Sequence, residues 1–160
     1  MPNERFEVSR TIPADPADIF RVLADPAGHV AIDSSGMLQS HTGEAATKSG
    51  DTFVVHMDRE SLGDFPLGRY DVTVTIGTFE ADREINWTVT GAVKPPIGHV
   101  YGYRLEPVAG ATKVTSYYDW SDIHPEWRAK NIFPILSELA LKATLGILER
   151  TLRAQGQTQD

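Results

Sequence analysis

The chain has 160 residues, the length of one ordinary globular domain, and 41% of them are hydrophobic, enough for one sizeable core without staples. It contains no cysteine, which removes disulfides, thiolate metal sites and cysteine nucleophiles together. Fifteen Lys and Arg against twenty-two Asp and Glu give a net charge of -7, which argues against a nucleic-acid surface or a binder of anionic headgroups. The N-terminal residues lack the cationic and then apolar run of a signal peptide, and no stretch of about 18 apolar residues is present to span a membrane. A cytoplasmic protein is expected, so the glycosylation sequon Asn86-Trp87-Thr88 carries no consequence. A single domain is expected over residues 1–155, with a frayed polar tail at 156–160.

Phe6, Val8 and Ile12 share one parity, the pattern of a half-buried strand. Arg10 shares it, which would turn one cation inward or leave it at the rim. Asp15-Pro16 and Asp25-Pro26 each combine a side chain able to accept free helix amides with a proline suited to the first helical position. Two short helices are therefore expected, the second ending near Ser34-Ser35-Gly36. From Met37 to about Ile123 the chain reads as antiparallel sheet: a weak strand at Met37–His41, then strands around Phe53–Met57, Arg69–Ile76, Ile85–Val89, His99–Glu106 and Lys113–Trp120. Ile132, Leu136, Leu139, Ala140, Ala143, Ile147 and Leu148 then fall at helical spacing. They predict one long closing helix of about 20 residues, roughly 30 Å long, covered on most sides.

A strongly curved sheet around the terminal helix satisfies this order of elements, with Gly77, Gly91 and Gly102 placed to relax the pleat. If large side chains on the concave face cannot interdigitate, a pocket remains between sheet and helix. Parity assigns Val55, Met57, Tyr70, Val72, Val74, Trp87 and Val89 to that face, followed by His99, Tyr101, Tyr103, Ser116, Tyr118 and Trp120. Leu136 and Ala140 would border it from the closing helix.

Several segments are similar to a known family: Val8-Ser9-Arg10-Thr11-Ile12-Pro13-Ala14 followed by Ile19-Phe20; His29-Val30-Ala31-Ile32-Asp33 through Met37; Pro95-Pro96-Ile97-Gly98-His99-Val100-Tyr101-Gly102-Tyr103; Tyr117-Tyr118-Asp119-Trp120-Ser121; and Leu145-Gly146-Ile147-Leu148-Glu149-Arg150. Together, over nearly the whole chain, they resemble the START-like superfamily SRPBCC, and within it a bacterial subgroup of polyketide cyclase/dehydrase type. The resemblance implies an α+β helix-grip fold: a curved seven-stranded antiparallel sheet, two short helices and a long C-terminal helix enclosing a cavity for a hydrophobic or amphipathic small molecule. It does not imply one reaction, because that fold hosts carriers, cyclases and co-chaperones alike.

The aromatic set reads either as a wall for a ring-containing ligand or as core filling, although each tyrosine hydroxyl in a sealed core needs a partner. His99 is the candidate acid, base or hydrogen-bond donor, against a histidine merely bonded to a tyrosine or to backbone. His29 and Asp33, four apart, would share a helix face and form a polar site with Arg10, against a local pair or helix-end cap. Asp119, Asp122 and His124 crowd the end of the last strand, where capping competes with ion binding. His41 and His56 lack partners by spacing, and no ligand-grade cluster occurs, so no metal and no cofactor are expected. The Arg59–Gly68 loop, with Leu62, Phe65 and Leu67, suits either a hinged apolar lid or a static packed loop, and 94–98 a stiff rim.

Two functions follow. One is a module that binds a lipid, polyketide or aromatic compound without any assigned reaction. The other is a cofactor-independent cyclase or aromatase, with His99 as acid/base and the tyrosines and Ser116 holding substrate oxygens. A regulatory surface ranks behind both, for want of a large exposed apolar face. A homodimer through a sheet edge is compatible with the sequence, but no residue demands it.

Overall fold

The alternating pattern of the first eight residues after Glu4 places them on the edge of a sheet, and everything that follows winds back toward that edge. The protein, seen in a computed structural model that describes residues 3–63, 66–91 and 93–157, runs β1 (Arg5–Ile12), α1 (Pro16–Ala24), α2 (Pro26–Ile32), β2 (Leu38–Thr42), β3 (Thr52–Asp58), β4 (Arg69–Glu80), β5 (Glu84–Gly91), β6 (Val100–Val108), β7 (Ala111–Asp119), α3 (Pro125–Arg128) and α4 (Glu138–Gln157). The strands form one antiparallel sheet in the order β1-β7-β6-β5-β4-β3-β2. The two short helices connect β1 to the opposite edge, and α4 packs against β1, β7 and α2. This is the α+β helix-grip fold.

Register carries each parity class across the sheet. Ile76, Trp87, Tyr101, Tyr118 and Phe6 form one row on the concave face, and Phe79, Ile85, Tyr103, Ser116 and Val8 form the next. The curvature has a local cause at Gly77 and Thr78, where the β4–β5 register shifts between Ile76 and Phe79. The bulge leaves the Thr78 N–H outside the ladder, and Asn86 Oδ1 accepts it at 2.7 Å. Gly102, expected as a bend, keeps its register instead, and its bare Cα lies beneath the Tyr117 ring on the outer face.

The helices follow their proline signals with two differences. Asp25 caps α2 by accepting from Ala27 N–H at 2.9 Å, whereas at α1 the Asp15 side chain makes no capping bond and its carbonyl accepts from Asp18 and Ile19. The closing helix begins later than Ile132. Pro134 lacks the amide that a helix interior needs, and Ser137 supplies the start by accepting from Ala140 N–H at 3.1 Å. Nor is α4 covered on most sides: its buried seam is Leu141, Leu145 and Leu148, while Leu139 is 75% exposed. That is the narrow stripe of a helix touching its sheet along one line. Arg10 keeps the inward parity but emerges at the end of the sheet, where its guanidinium bonds Glu149 on α4 at 3.3 and 3.4 Å.

α1 and α2 approach closely because Gly28 has no side chain: a Cβ there would overlap the Val22 carbonyl. The backbone on both sides is helical and cannot move aside cheaply. Gly28→Ala is expected to lower stability by about 1–3 kcal/mol, read as a reduced urea midpoint with an unchanged slope. An unchanged midpoint would contradict this account of the helix pair.

Candidate functional site

Because α4 covers only one side of the concave face, a cavity of about 720 Å³ remains between β3–β7, α2 and α4. That volume falls in the range of small-molecule sites. Its sheet wall carries Val55, Met57, Tyr70, Val72, Val74 and Val89 toward the β3 side, and Trp87, Tyr101, Tyr103, His99 and Ser116 toward the β7 side. His29, Ile32 and Asp33 border it from α2, and Leu136, Ala140 and Thr144 from α4 and the turn before it. The concave set read from parity thus comes together, with two differences. Tyr118 and Trp120 do not border the space. They form a second layer behind His99, with rings 5.6 Å apart and 26° from parallel, and Phe6 meets the Trp120 edge. Arg10 stays outside, bonded to Glu149 of α4.

The helix pair explains the position of His29. With Gly28 against Val22, the His29 Nε2–H donates to the Leu23 carbonyl at 2.7 Å, and the ring packs between Phe53 and Trp87. Burial pulls its pKa down to about 4, so the ring is neutral at pH 7 with Nδ1 as the acceptor. Asp33, four residues on, does not pair with it. Its oxygens accept from Ser35 N–H, Ser35 O–H and Leu38 N–H, which shapes the turn into β2. Ser34 in the same turn bonds the Ala140 carbonyl and Thr144 on α4, tying the turn to the cavity's helical side.

His99 stands just before β6 and is 1% exposed. Tyr101, Tyr118 and Phe133 surround it with ring centroids 4.9 to 5.9 Å away. Its Nδ1 lies 2.7 Å from the Tyr118 hydroxyl. Burial raises the pKa of that hydroxyl well above 10, with the Ile135 backbone opposing the rise. Among the described residues no other acceptor lies within hydrogen-bond distance of that hydroxyl, so its proton goes to Nδ1. Burial brings the His99 pKa down to about 4. The neutral ring therefore carries its proton on Nε2, and Nε2 has no hydrogen-bond partner among the described residues.

The remaining polar groups are hydroxyls and one cation. Burial pushes Tyr103 up to about 12, with its Ser116 hydrogen bond opposing the rise, and pushes Tyr101 well above 10 against the nearby Arg59 charge. Arg59 borders the cavity and its Nη1 meets Met37 Sδ at 3.3 Å. The sequence does not single it out as a lining residue, nor Phe133, Ile135 or Trp127, because these sit on irregular chain or, for Trp127, on the four-residue α3, where periodicity has no meaning. Pro134 was the available signal. The stiff rim is tied down: Trp127 Nε1–H donates to Pro95 O at 2.6 Å and His124 N–H to Ile97 O at 2.8 Å. In the Arg59–Gly68 loop, Glu60–Leu62 form a 3₁₀ turn and Pro66 and Leu67 border the cavity; Phe65 lies outside the described residues.

Three other clusters resolve as local structure. Asp119 pairs with Arg5 at 3.1 Å and accepts from Ser121, and His124 Nδ1 caps α3 by accepting from Glu126 N–H. His56, expected to stand alone, lies between Thr42 Oγ1 and Asp71 Oδ1, both at 2.7 Å, on the outer face across β2, β3 and β4. Strand pairing supplied partners that sequence spacing hides. Among the described residues no group of three or more His, Asp and Glu side chains could hold a metal ion, and no helix is long and apolar enough to cross a membrane.

Both cavity imidazoles fall from 6.5 to about 4 on folding. Below pH 6.5 the unfolded chain takes up protons that the folded chain refuses, so this stability is full above 6.5 and is lost as pH drops toward 4. Each ring is expected to cost about 2 kcal/mol between pH 7 and pH 5. In urea unfolding His99→Phe should lose about 2 kcal/mol less than the native chain over that interval; identical pH dependence would contradict a buried neutral His99.

The family model for polyketide cyclase / dehydrase and lipid transport proteins matches residues 3–153. No curated protein matches. Protein CV1439 from Chromobacterium violaceum superposes with a TM-score of 0.65 at 13% identity, over 93% of this chain and 96% of that one. Protein Ms6760 from Mycobacterium smegmatis gives 0.62 at 14%, over 96% and 93%. The Aha1 dimer from Colwellia psychrerythraea gives 0.58 at 17%, over 92% and 95%. At these identities the likeness is one of fold. The whole-length match places the chain in the polyketide cyclase / dehydrase and lipid transport family.

Proposed function

We propose that the protein binds one hydrophobic or amphipathic small molecule, a lipid, polyketide or aromatic compound, between its sheet and α4, and holds or carries it without transforming it. The cavity of about 720 Å³ with its aromatic and aliphatic wall carries this reading. The family's description, which joins cyclases and dehydrases with lipid transport, supports a ligand-binding role in general terms. The second reading, a cyclase- or aromatase-type reaction, draws on the same description and on the hydroxyls of Tyr101, Tyr103 and Ser116. It asks His99 for proton transfer, and His99 is poorly suited. Its one lone pair is occupied by Tyr118, and a ring with a pKa of about 4 is a weak base and an empty acid at pH 7.

Ala140 borders the cavity from α4, so Ala140→Trp would fill part of it without touching the Leu141, Leu145 and Leu148 seam. The native chain is expected to bind the neutral fluorophore N-phenyl-1-naphthylamine saturably at one site. Ala140→Trp should weaken that binding about tenfold or more, a loss of some 1.4 kcal/mol, with little change in melting temperature. Native mass spectrometry of protein from its own host should likewise show a retained small molecule that Ala140→Trp loses. Unchanged affinity and an unchanged adduct would place the binding elsewhere.

A further inference from the structure

A buried donor without a partner is costly, and native structures keep few of them. Among the described residues His99 Nε2 is such an atom, on a ring that is 1% exposed and borders the cavity. The ring cannot turn to solve the problem, because a flip would put Cδ2 where Nδ1 stands and break the bond to Tyr118. The rings packed around it are those of Tyr101, Tyr118 and Phe133. The missing acceptor must therefore come from what occupies the cavity.

We infer that the ligand is a ring compound bearing a carbonyl oxygen, and that this oxygen accepts the His99 Nε2–H. The inference rests on the reading of the cavity as a ligand site. Two features select this chemistry. A carbonyl accepts without bringing a donor of its own, whereas a hydroxyl introduces an O–H that needs a further acceptor among aromatic carbons. The wall beside His99 is aromatic: Tyr101 meets the His99 ring edge-on, and Trp87 stacks 12° from parallel on Tyr101 and 28° from parallel on Tyr103, so a planar ring gains stacked or edge-on contacts there that a branched chain does not. His99 is then a specificity residue. It rejects hydrocarbon analogues, because these would seal the donor away from any acceptor, water included.

Two uncharged probes of matched shape test this: 2-acetylnaphthalene and 2-ethylnaphthalene, titrated against intrinsic tryptophan emission. The native chain should bind the ketone about tenfold or more tighter than the hydrocarbon after correction for their different transfer from water. His99→Phe should bring the ratio to within about twofold, chiefly by tightening 2-ethylnaphthalene binding. In the native chain, the ¹⁵N and ¹H resonances of His99 Nε2–H should also shift on adding the ketone and stay in place on adding the hydrocarbon, which needs no variant. If both probes bind the native chain equally, or the His99→Phe ratio stays high, the carbonyl assignment is wrong and the cavity remains a binding site. If neither probe binds, the cavity reading fails and the assignment with it.

Discussion

One helix cannot fill the concave face of a seven-stranded sheet. Protein interiors are packed like organic crystals, and matching that density here would need side chains from a second layer opposite every strand. α4 provides them only along the line of Leu141, Leu145 and Leu148, against β1, β7 and α2. Strands β3 to β6 curve away from that line, and their inward residues meet α2, the 129–137 turn and open space. The cavity is thus a consequence of the architecture, and the sequence lines it rather than closing it.

The aromatic residues divide into two layers with different work. Tyr118 and Trp120 are structural: both are buried and stacked, and the Tyr118 hydroxyl is bonded to His99 Nδ1. Tyr101, Tyr103 and Trp87 face the space. His99 belongs to both layers, bound to the back one through Nδ1 and turned to the front one by an Nε2–H that nothing among the described residues accepts. Burial keeps both cavity imidazoles neutral and the tyrosines protonated at pH 7, so the wall offers hydrogen bonds and ring faces, with Arg59 as a cation on its lining. Such a lining recognises polar groups without strong acid or base chemistry, which favours holding a molecule over transforming it.

Much of this was legible in the sequence. Period-2 alternation identified the inner faces of β3 to β7, and the two Asp-Pro starts identified α1 and α2. It failed where period has no physical basis. The segment before α4 looked helical because Ile132 and Leu136 fall at helical spacing, yet Pro134 forbids it, and the irregular chain brings Phe133 and Ile135 to His99. Parity placed Tyr118 and Trp120 on the inner face without revealing that the next row stands in front of them. Arg10 shows the same limit, since its parity is inward but its length carries it to Glu149. His56 gained Thr42 and Asp71 only through strand register.

The central claim, that one molecule sits between the sheet and α4, is tested most directly by intermolecular nuclear Overhauser effects to bound 2-acetylnaphthalene. The account predicts contacts to Met57, Tyr101 and Ala140, which border the cavity from three sides. Contacts to Thr73 or Asn86 on the outer face, with none to those three, would contradict it.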